Sequence, residues 1–447
     1  MKERTLYDLI AAQDLVILQC KYTLFKRVVN ITFSAKSDEK IDWDIMRKTI
    51  QEVIKRNDCL RLRFCKKDKK IMQYFVDEVE NLNIKHVEFK TQKQQENFIK
   101  KETSKPTQYM KGEVIKVFFC KSYDGKDMLL FKVCHLILDM YGINILLKDI
   151  FDVYTALKNG ESLPPQPNSF EEIIKKDLLK KNNESLIAEN KKFYQEYLEA
   201  RERPYYAGVH GLDSKLAKKE FDKHSVKMFF INCDTEGSMF SFSKELVDKI
   251  ITFCEKTKTT PANLIFYACS LCQSKMNNNV ENLLQLELCN CRATAYEKNT
   301  AGTKVQSVGC YININQEQTI DENLKQFKKN QFDFYKHIGI SEMDFTRLVH
   351  NTYHDPFLRT YFALTFSFIP MKKPKGVDFQ IYSNGKCALP AYVAAMYDVD
   401  SKDISMVYDC QTKLTTREQV KNFHYNLENV LNQIVTNTNI KIKDLKI

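Results

Sequence analysis

The sequence predicts an α/β protein of two lobes, and three observations carry that reading. Amphipathic helical patterns and short β-rich runs occur together in both halves of the chain. A proline-rich break followed by a lysine-rich helical stretch separates the halves. The 447 residues, 43% of them hydrophobic, supply material for two or three cores at about 150 residues per domain.

From Asp42 to Arg56 the apolar residues Trp43, Ile45, Met46, Ile50, Val53 and Ile54 recur at helical spacing, and Leu60, Leu62 and Phe64 then alternate as in a strand. Two β-rich runs, Val114 to Cys120 and Met128 to Cys134, are joined by a loop containing Asp124-Gly125, which predicts a hairpin. A helix follows from about Gly142 to Lys158, with Gly160 as its stop. After Leu163-Pro164-Pro165-Gln166-Pro167 the chain becomes a charged helical stretch, Phe170 to Arg203, and the boundary between residues 1–178 and 179–447 is placed there. The second half repeats the mixture. It reads as strand Met239–Phe242, helix Ser243–Lys256, a helix opened by Thr260-Pro261, strands Leu283–Cys291, Val308–Ile314 and Tyr361–Ile369, and a terminal helix near Thr416–Thr436.

Composition excludes several classes. The most apolar stretch, Met128 to Ile150, is interrupted by Lys132, Asp139 and Lys148, so no membrane span is predicted. The opening residues mix acids with bases and lack an apolar core, so no secretory signal is read and a cytoplasmic location is expected. Several of the fourteen cysteines sit in apolar-patterned segments and are read as reduced, buried thiols. The net charge of +11 resides in short runs such as Lys66-Lys67-Asp68-Lys69-Lys70. No nucleic-acid signature accompanies them, so they read as a solvated face or a face for an acidic protein, with no nucleic acid as partner.

Candidate chemistry centres on Phe131 to Gly142. His135 stands at the end of a strand just before the turn into a helix, an address where α/β proteins often hold ligand-binding side chains. Alternation sets it on the face of Val133 and Phe131, so a core histidine is the competing reading. Cys134 beside it points to the opposite face and cannot pair with it directly. Cys269 and Cys272, with Cys289 and Cys291, have zinc-like spacing, but one pair lies in an apolar helix and the other in a strand, so no metal is expected. His350 and His354 read as surface histidines, because Pro356 breaks a helix there.

The order of features resembles the condensation domains of nonribosomal peptide synthetases, which belong to the chloramphenicol-acetyltransferase-like superfamily. Cys134-His135-Leu136-Ile137-Leu138-Asp139-Met140 stands where that family has HHxxxDG, keeping the second His and the Asp. Arg56-Asn57-Asp58-Cys59-Leu60-Arg61-Leu62-Arg63-Phe64 is similar to RHExLRTxF, Ala12-Gln13 to the end of SxAQ, and Val308-Gly309-Cys310-Tyr311-Ile312-Asn313-Ile314 to IGxFVNT. Residues Asn437 to Leu445 resemble the end of the domain, so the likeness covers the whole chain.

The resemblance implies two chloramphenicol-acetyltransferase-like lobes, arranged as a pseudo-dimer with a substrate tunnel between them, and His135 as catalytic residue. It implies attack by an amine or hydroxyl on an acyl or aminoacyl thioester carried by the phosphopantetheine arm of a carrier protein, with no cofactor bound by the chain itself. A neutral imidazole near pH 7 suits such proton transfer. Asp139 is expected to be structural, paired with Arg61. The expected tunnel residues are Cys134, Met140, Tyr141, Gly142, Gly309, Tyr311, Asn313, Thr365 and Ser367. The partners implied are an acidic carrier protein and an adenylation enzyme, both in trans, with a small amine or alcohol as acceptor and a monomer as the working form.

Met140 replaces the motif's Gly, which opens the alternative of a catalytically degenerate scaffold. A further alternative is an alcohol O-acyltransferase using acyl-coenzyme A. Glu287-Leu288-Cys289-Asn290-Cys291-Arg292 stands where the family's epimerase branch has EGHGR and does not match it.

Overall fold

The computed structural model describes residues 4–23, 25–79, 82, 84–212, 224–228, 232–356 and 358–447. The chain divides into two compact units, each built around its own sheet. The first comprises residues 1–182, 290–305 and 371–384, and the second 183–289, 306–370 and 385–447. The single cut expected at residue 178 is therefore replaced by a discontinuous division, because two later segments return to the first unit.

In the first unit the elements run β1 (Tyr7–Asp8), α1 (Ala11–Thr23), β2 (Asn30–Ser37), α2 (Trp43–Arg56), β3 (Leu62–Lys67), β4 (Lys70–Phe75) and β5 (Lys85–Glu88). They continue as α3 (Gln92–Ser104), β6 (Ile115–Lys121), β7 (Asp127–Cys134), α4 (Met140–Asn159) and α5 (Phe170–Lys181). The second unit begins with α6 (Glu184–Glu199), β8 (Val226–Lys227), β9 (Thr235–Ser241), α7 (Lys244–Thr257), α8 (Pro261–Met276) and β10 (Asn282–Cys289). A one-turn helix α9 (Ala295–Lys298) lies in a segment that returns to the first unit. Then come β11 (Gln306–Asn313), α10 (Ile320–Lys336), α11 (Glu342–Tyr353), β12 (Arg359–Thr360) and β13 (Thr365–Met371). β14 (Val377–Tyr382) again belongs to the first unit, and β15 (Ala391–Asp398), β16 (Ile404–Gln411) and α12 (Arg417–Thr436) complete the second.

The five-stranded sheet of the first unit has the order β14-β2-β7-β6-β5 beside a smaller sheet β1-β4-β3, and the six-stranded sheet of the second has the order β11-β10-β13-β15-β16-β9 beside the pair β12-β8. β7 is buried along its whole length, as a central strand covered on both faces must be. Its one basic residue, Lys132, donates to the Lys105 carbonyl at 2.6 Å, and burial lowers its ammonium to about 8. The β6–β7 hairpin forms as expected.

Helix ends follow the local chemistry. Asp42 accepts from the amides of Asp44 and Ile45 to start α2, whose Met46, Ile50, Val53 and Ile54 are buried. Asp139 caps α4, and Gly160 ends it at φ 69°, a left-handed conformation that suits glycine. Thr319 with Glu322 and Thr416 with Gln419 form reciprocal capping boxes on α10 and α12. Leu60 and Arg61, expected on a strand, belong instead to a 3-10 turn over Asp58–Arg61.

Candidate active site

β7 delivers the chain to His135 and stops there because the next residues are held in a turn. Backbone bonds run from the Cys134 amide to the Val114 carbonyl (2.8 Å), from His135 to Val29 (2.7 Å) and from Ile137 to Cys134 (3.0 Å). Gln13 is fully buried and donates to the Leu136 carbonyl at 3.0 Å and to Gln73 at 2.7 Å. Gln73 in turn donates to the Asp8 carbonyl at 2.7 Å. Leu136, Ile137 and Leu138 are wholly buried, so the turn is fixed by packing as well as by hydrogen bonds.

The far end of the turn is held by one carboxylate. Asp139 accepts from Arg292 through both oxygens, at 2.9 and 3.1 Å, and from the amides of Gly142 (2.7 Å), Lys304 (2.8 Å) and Val305 (3.2 Å). Burial works against the ionised form, but the Arg292 charge and these donors outweigh it and hold the carboxyl below its ordinary range. An acid held in this way is a poor base. Arg292 also donates to the Gly302 carbonyl at 2.8 Å and lies 4.7 Å above the Tyr141 ring. Beside it, Lys304 is buried against Asp177 at 2.7 and 2.9 Å.

The expected Arg61–Asp139 pair is therefore not formed. Arg61 donates to the Val76 carbonyl at 2.9 Å, and the 3-10 turn that carries it is satisfied locally. Within the same motif Arg56 pairs with Asp149, its Nε 3.4 Å from the carboxylate. Asp58 caps α5 through the Phe170 amide at 2.8 Å. Arg292 lies 153 residues from Asp139. Its only signal in the sequence is a basic side chain ending the β-rich run Leu283–Cys291, with nothing local to point it toward Asp139.

His135 is half-buried. Burial lowers its pKa below the ordinary imidazole value, while carbonyls of the turn and the Asp139 charge act in the opposite sense, so the ring is neutral at pH 7. Its Nδ1 is buried and has no hydrogen-bond partner among the described residues. Cys134 is fully buried, with its thiol raised to about 12 by that burial. Met140 and Tyr141 open α4, each half-buried. Gly142 is a packing residue rather than a wall of open space: a Cβ there would lie 2.4 Å from the Gly302 carbonyl oxygen.

The expected tunnel residues of the second unit have mixed settings. Gly309 is covered by the Phe345 ring, which a Cβ would meet at 2.0 Å, so its glycine is required for packing α11 onto β11. Tyr311 is buried and donates to the Glu202 carbonyl at 2.8 Å, so its hydroxyl is already used. Asn313 is exposed and donates to Asn282 at 2.7 Å. Thr365 and Ser367 are buried on β13, and the Thr365 hydroxyl has no hydrogen-bond partner among the described residues.

His350 departs from its expected surface position. It lies in α11, is 6% exposed, and its Nε2 is 2.9 Å from the Arg359 carbonyl. The helix ends at His354, whose φ of 56° forms its C-cap, so Pro356 follows the helix and does not break it. Cys269 and Cys272 are buried in α8. No group of three or more metal-ligating side chains occurs among the described residues.

The two mixed α/β units, with a histidine turn braced by a buried carboxylate, define a chloramphenicol-acetyltransferase-like scaffold. The Condensation domain family matches residues 3–447, and the chain belongs to that family. It is 20% identical over 430 residues to one of the plipastatin synthase proteins of Bacillus subtilis (strain 168), covering 94% of this chain and 16% of that protein. It is 23% identical over 349 residues to surfactin synthase subunit 1 of the same organism, covering 75% and 9%. The chain thus spans less than a fifth of the length of either relative. Among solved structures, the starter condensation domain of rhizomide synthetase in complex with C8-CoA superposes with a TM-score of 0.81 at 13% identity, over 99% of this chain and 98% of that one. The first condensation domain of the calcium-dependent antibiotic synthetase gives 0.81 at 8% identity over 99% and 100%.

Proposed function

We propose that the protein transfers an acyl or aminoacyl group from a carrier-protein thioester to an amine or hydroxyl acceptor, in the assembly of a peptide or lipopeptide. The single observation that carries this reading is the family's histidine turn, with His135 neutral at pH 7 and Asp139 fully occupied by Arg292 and three amides. In the reaction the acceptor nitrogen or oxygen bonds to the thioester carbonyl carbon and the carbon–sulfur bond breaks. The nucleophile's proton passes to His135 and then to the departing thiolate. Asp139 is a positioning residue: it holds the start of α4 and leaves proton transfer to the imidazole. The phosphopantetheine arm enters as part of the substrate. The +11 charge supports an acidic carrier protein as the donor, through complementary docking.

The test is intact-mass spectrometry of acyl-loaded carrier proteins incubated with a panel of amines and alcohols. Loss of the acyl mass with appearance of a coupled product is expected, and His135→Ala lowers the rate about 10²- to 10⁴-fold. Carriers that bind and stay loaded across the panel would sink the transferase reading in favour of a scaffold. Equal turnover with free acyl-coenzyme A would sink the carrier requirement.

A further inference from the structure

The second unit contains a pair of cysteines that the transfer chemistry does not use. Asp234 and Lys386 form an isolated antiparallel bridge, joined also by an ion pair of 2.7 Å. The bridge is flanked by backbone bonds from Cys387 to the Cys233 carbonyl (3.1 Å) and from Thr235 to the Gly385 carbonyl (3.2 Å). The antiparallel register sets Cys233 opposite Cys387, one step beyond the bridge and joined by one backbone bond, where side chains share a face and opposite Cα atoms lie about 4.5–5.5 Å apart. Disulfides accept Cα separations of about 4.4–6.8 Å. Cys233 is wholly buried and Cys387 half-buried, and both are thiols in this structure.

We propose that Cys233 and Cys387 are a redox modification site, closing to an intrachain disulfide that staples the segment entering β9 to the segment entering β15. The oxidant is a low-molecular-weight disulfide. The half-buried Cys387 thiolate attacks it, expelling one thiolate and forming a mixed disulfide; Cys233 then loses its proton, attacks the Cys387 sulfur and expels the second. Two protein thiols give up two electrons and two protons, and the small disulfide is reduced to two thiols. Cβ atoms of opposite strand residues lie about 4.5–5.5 Å apart, whereas a disulfide needs about 3.5–4.5 Å. The bond therefore draws the strands together and falls in the reducible class. Burial raises the Cys387 thiol to about 12, so the first step is slow at pH 7 and gains about tenfold per pH unit.

Oxidised glutathione added to the folded full chain at about pH 8.5, followed by alkylation and non-reducing peptide mapping, tests the proposal. The expected result is a linked Cys233–Cys387 peptide pair, formed about tenfold or more faster than any other crosslink and reversed by dithiothreitol. Cys233→Ala is expected to trap Cys387 as its glutathione adduct. A dominant Cys387–Cys410 link would overturn the assignment, since Cys410 on β16 also lies near Cys387. So would a stable glutathione adduct on Cys387 in the unaltered chain, or reaction of either cysteine only after denaturation.

Discussion

Truncating Arg292 is the sharpest probe of how the histidine turn is held. Arg292 is 6% and Asp139 4% exposed, and the pair is bidentate at 2.9 and 3.1 Å. Arg292→Ala leaves a buried carboxylate without its counter-charge, and removing one partner of a buried ion pair costs about 3–5 kcal/mol. The amides of Gly142, Lys304 and Val305 still solvate the anion, which places the expected loss near the lower end, about 3 kcal/mol. Arg61→Ala is the internal control. It removes one hydrogen bond to the Val76 carbonyl from a half-buried side chain, worth about 1 kcal/mol.

The single tryptophan, Trp43 in α2, is stacked 4.7 Å from Phe119 and lies in the same unit as both arginines, so its fluorescence reports on that unit. In urea titrations a slope of about 3 kcal/mol per molar converts the Arg292→Ala loss to a midpoint shift of about 1 M. Arg61→Ala is expected to move the midpoint by about a third as much. Asp139→Asn combined with Arg292→Ala should cost far less than the sum of the two singles, because the groups act as one unit. If Arg61→Ala equals or exceeds Arg292→Ala, the assignment of the brace to Arg292 is refuted.

Two buried groups of the second unit give opposite pH signatures. Burial raises Glu287 from 4.5 to about 7, although Tyr335 and Gln331 donate to it. Its contribution is therefore full below the unfolded pKa and is lost as pH rises through about 7. Burial lowers His424, stacked between Phe240 and Phe242, from 6.5 to about 4, so its contribution is full above 6.5 and is lost as pH falls toward 4. The two slopes oppose each other over the shared window. Glu287→Gln should expose a rise of stability with pH, and His424→Gln a fall, each up to about 1.4 kcal/mol per pH unit by urea titration followed by circular dichroism. Superimposable pH profiles for both variants and the unaltered chain would contradict this. Gly309→Ala is expected to cost about 1–3 kcal/mol, because the Phe345 ring occupies the space a Cβ needs. Phe345→Ala in the same chain should recover part of the Gly309→Ala loss relative to its own cost, measured by the same titration.

Much of the local structure is legible in the chain. The helical spacing of Met46, Ile50, Val53 and Ile54, the Asp124-Gly125 turn, the Ser243 and Thr260-Pro261 helix starts and the Gly160 stop each act within a few residues, and each element stands where those signals put it. The position of His135 between strand and helix is legible for the same reason: a strand pattern ends and a helical one begins on either side of it. The helix over Glu342–Tyr353 is hidden when Pro356 is read as a breaker, although a proline beyond a C-cap breaks nothing.

What only the tertiary structure decided is which distant groups meet. The family resemblance implied Arg61 as the partner of Asp139. The fold instead brings Arg292, Gly302 and Lys304 to it from a segment that leaves β10 and returns to the first unit. β14 likewise joins β2 from more than three hundred residues away. Periodicity and capping are short-range signals and can be read along one dimension. Ion pairing and strand pairing at long separation depend on where the chain crosses between units, and no local pattern of residues records that crossing.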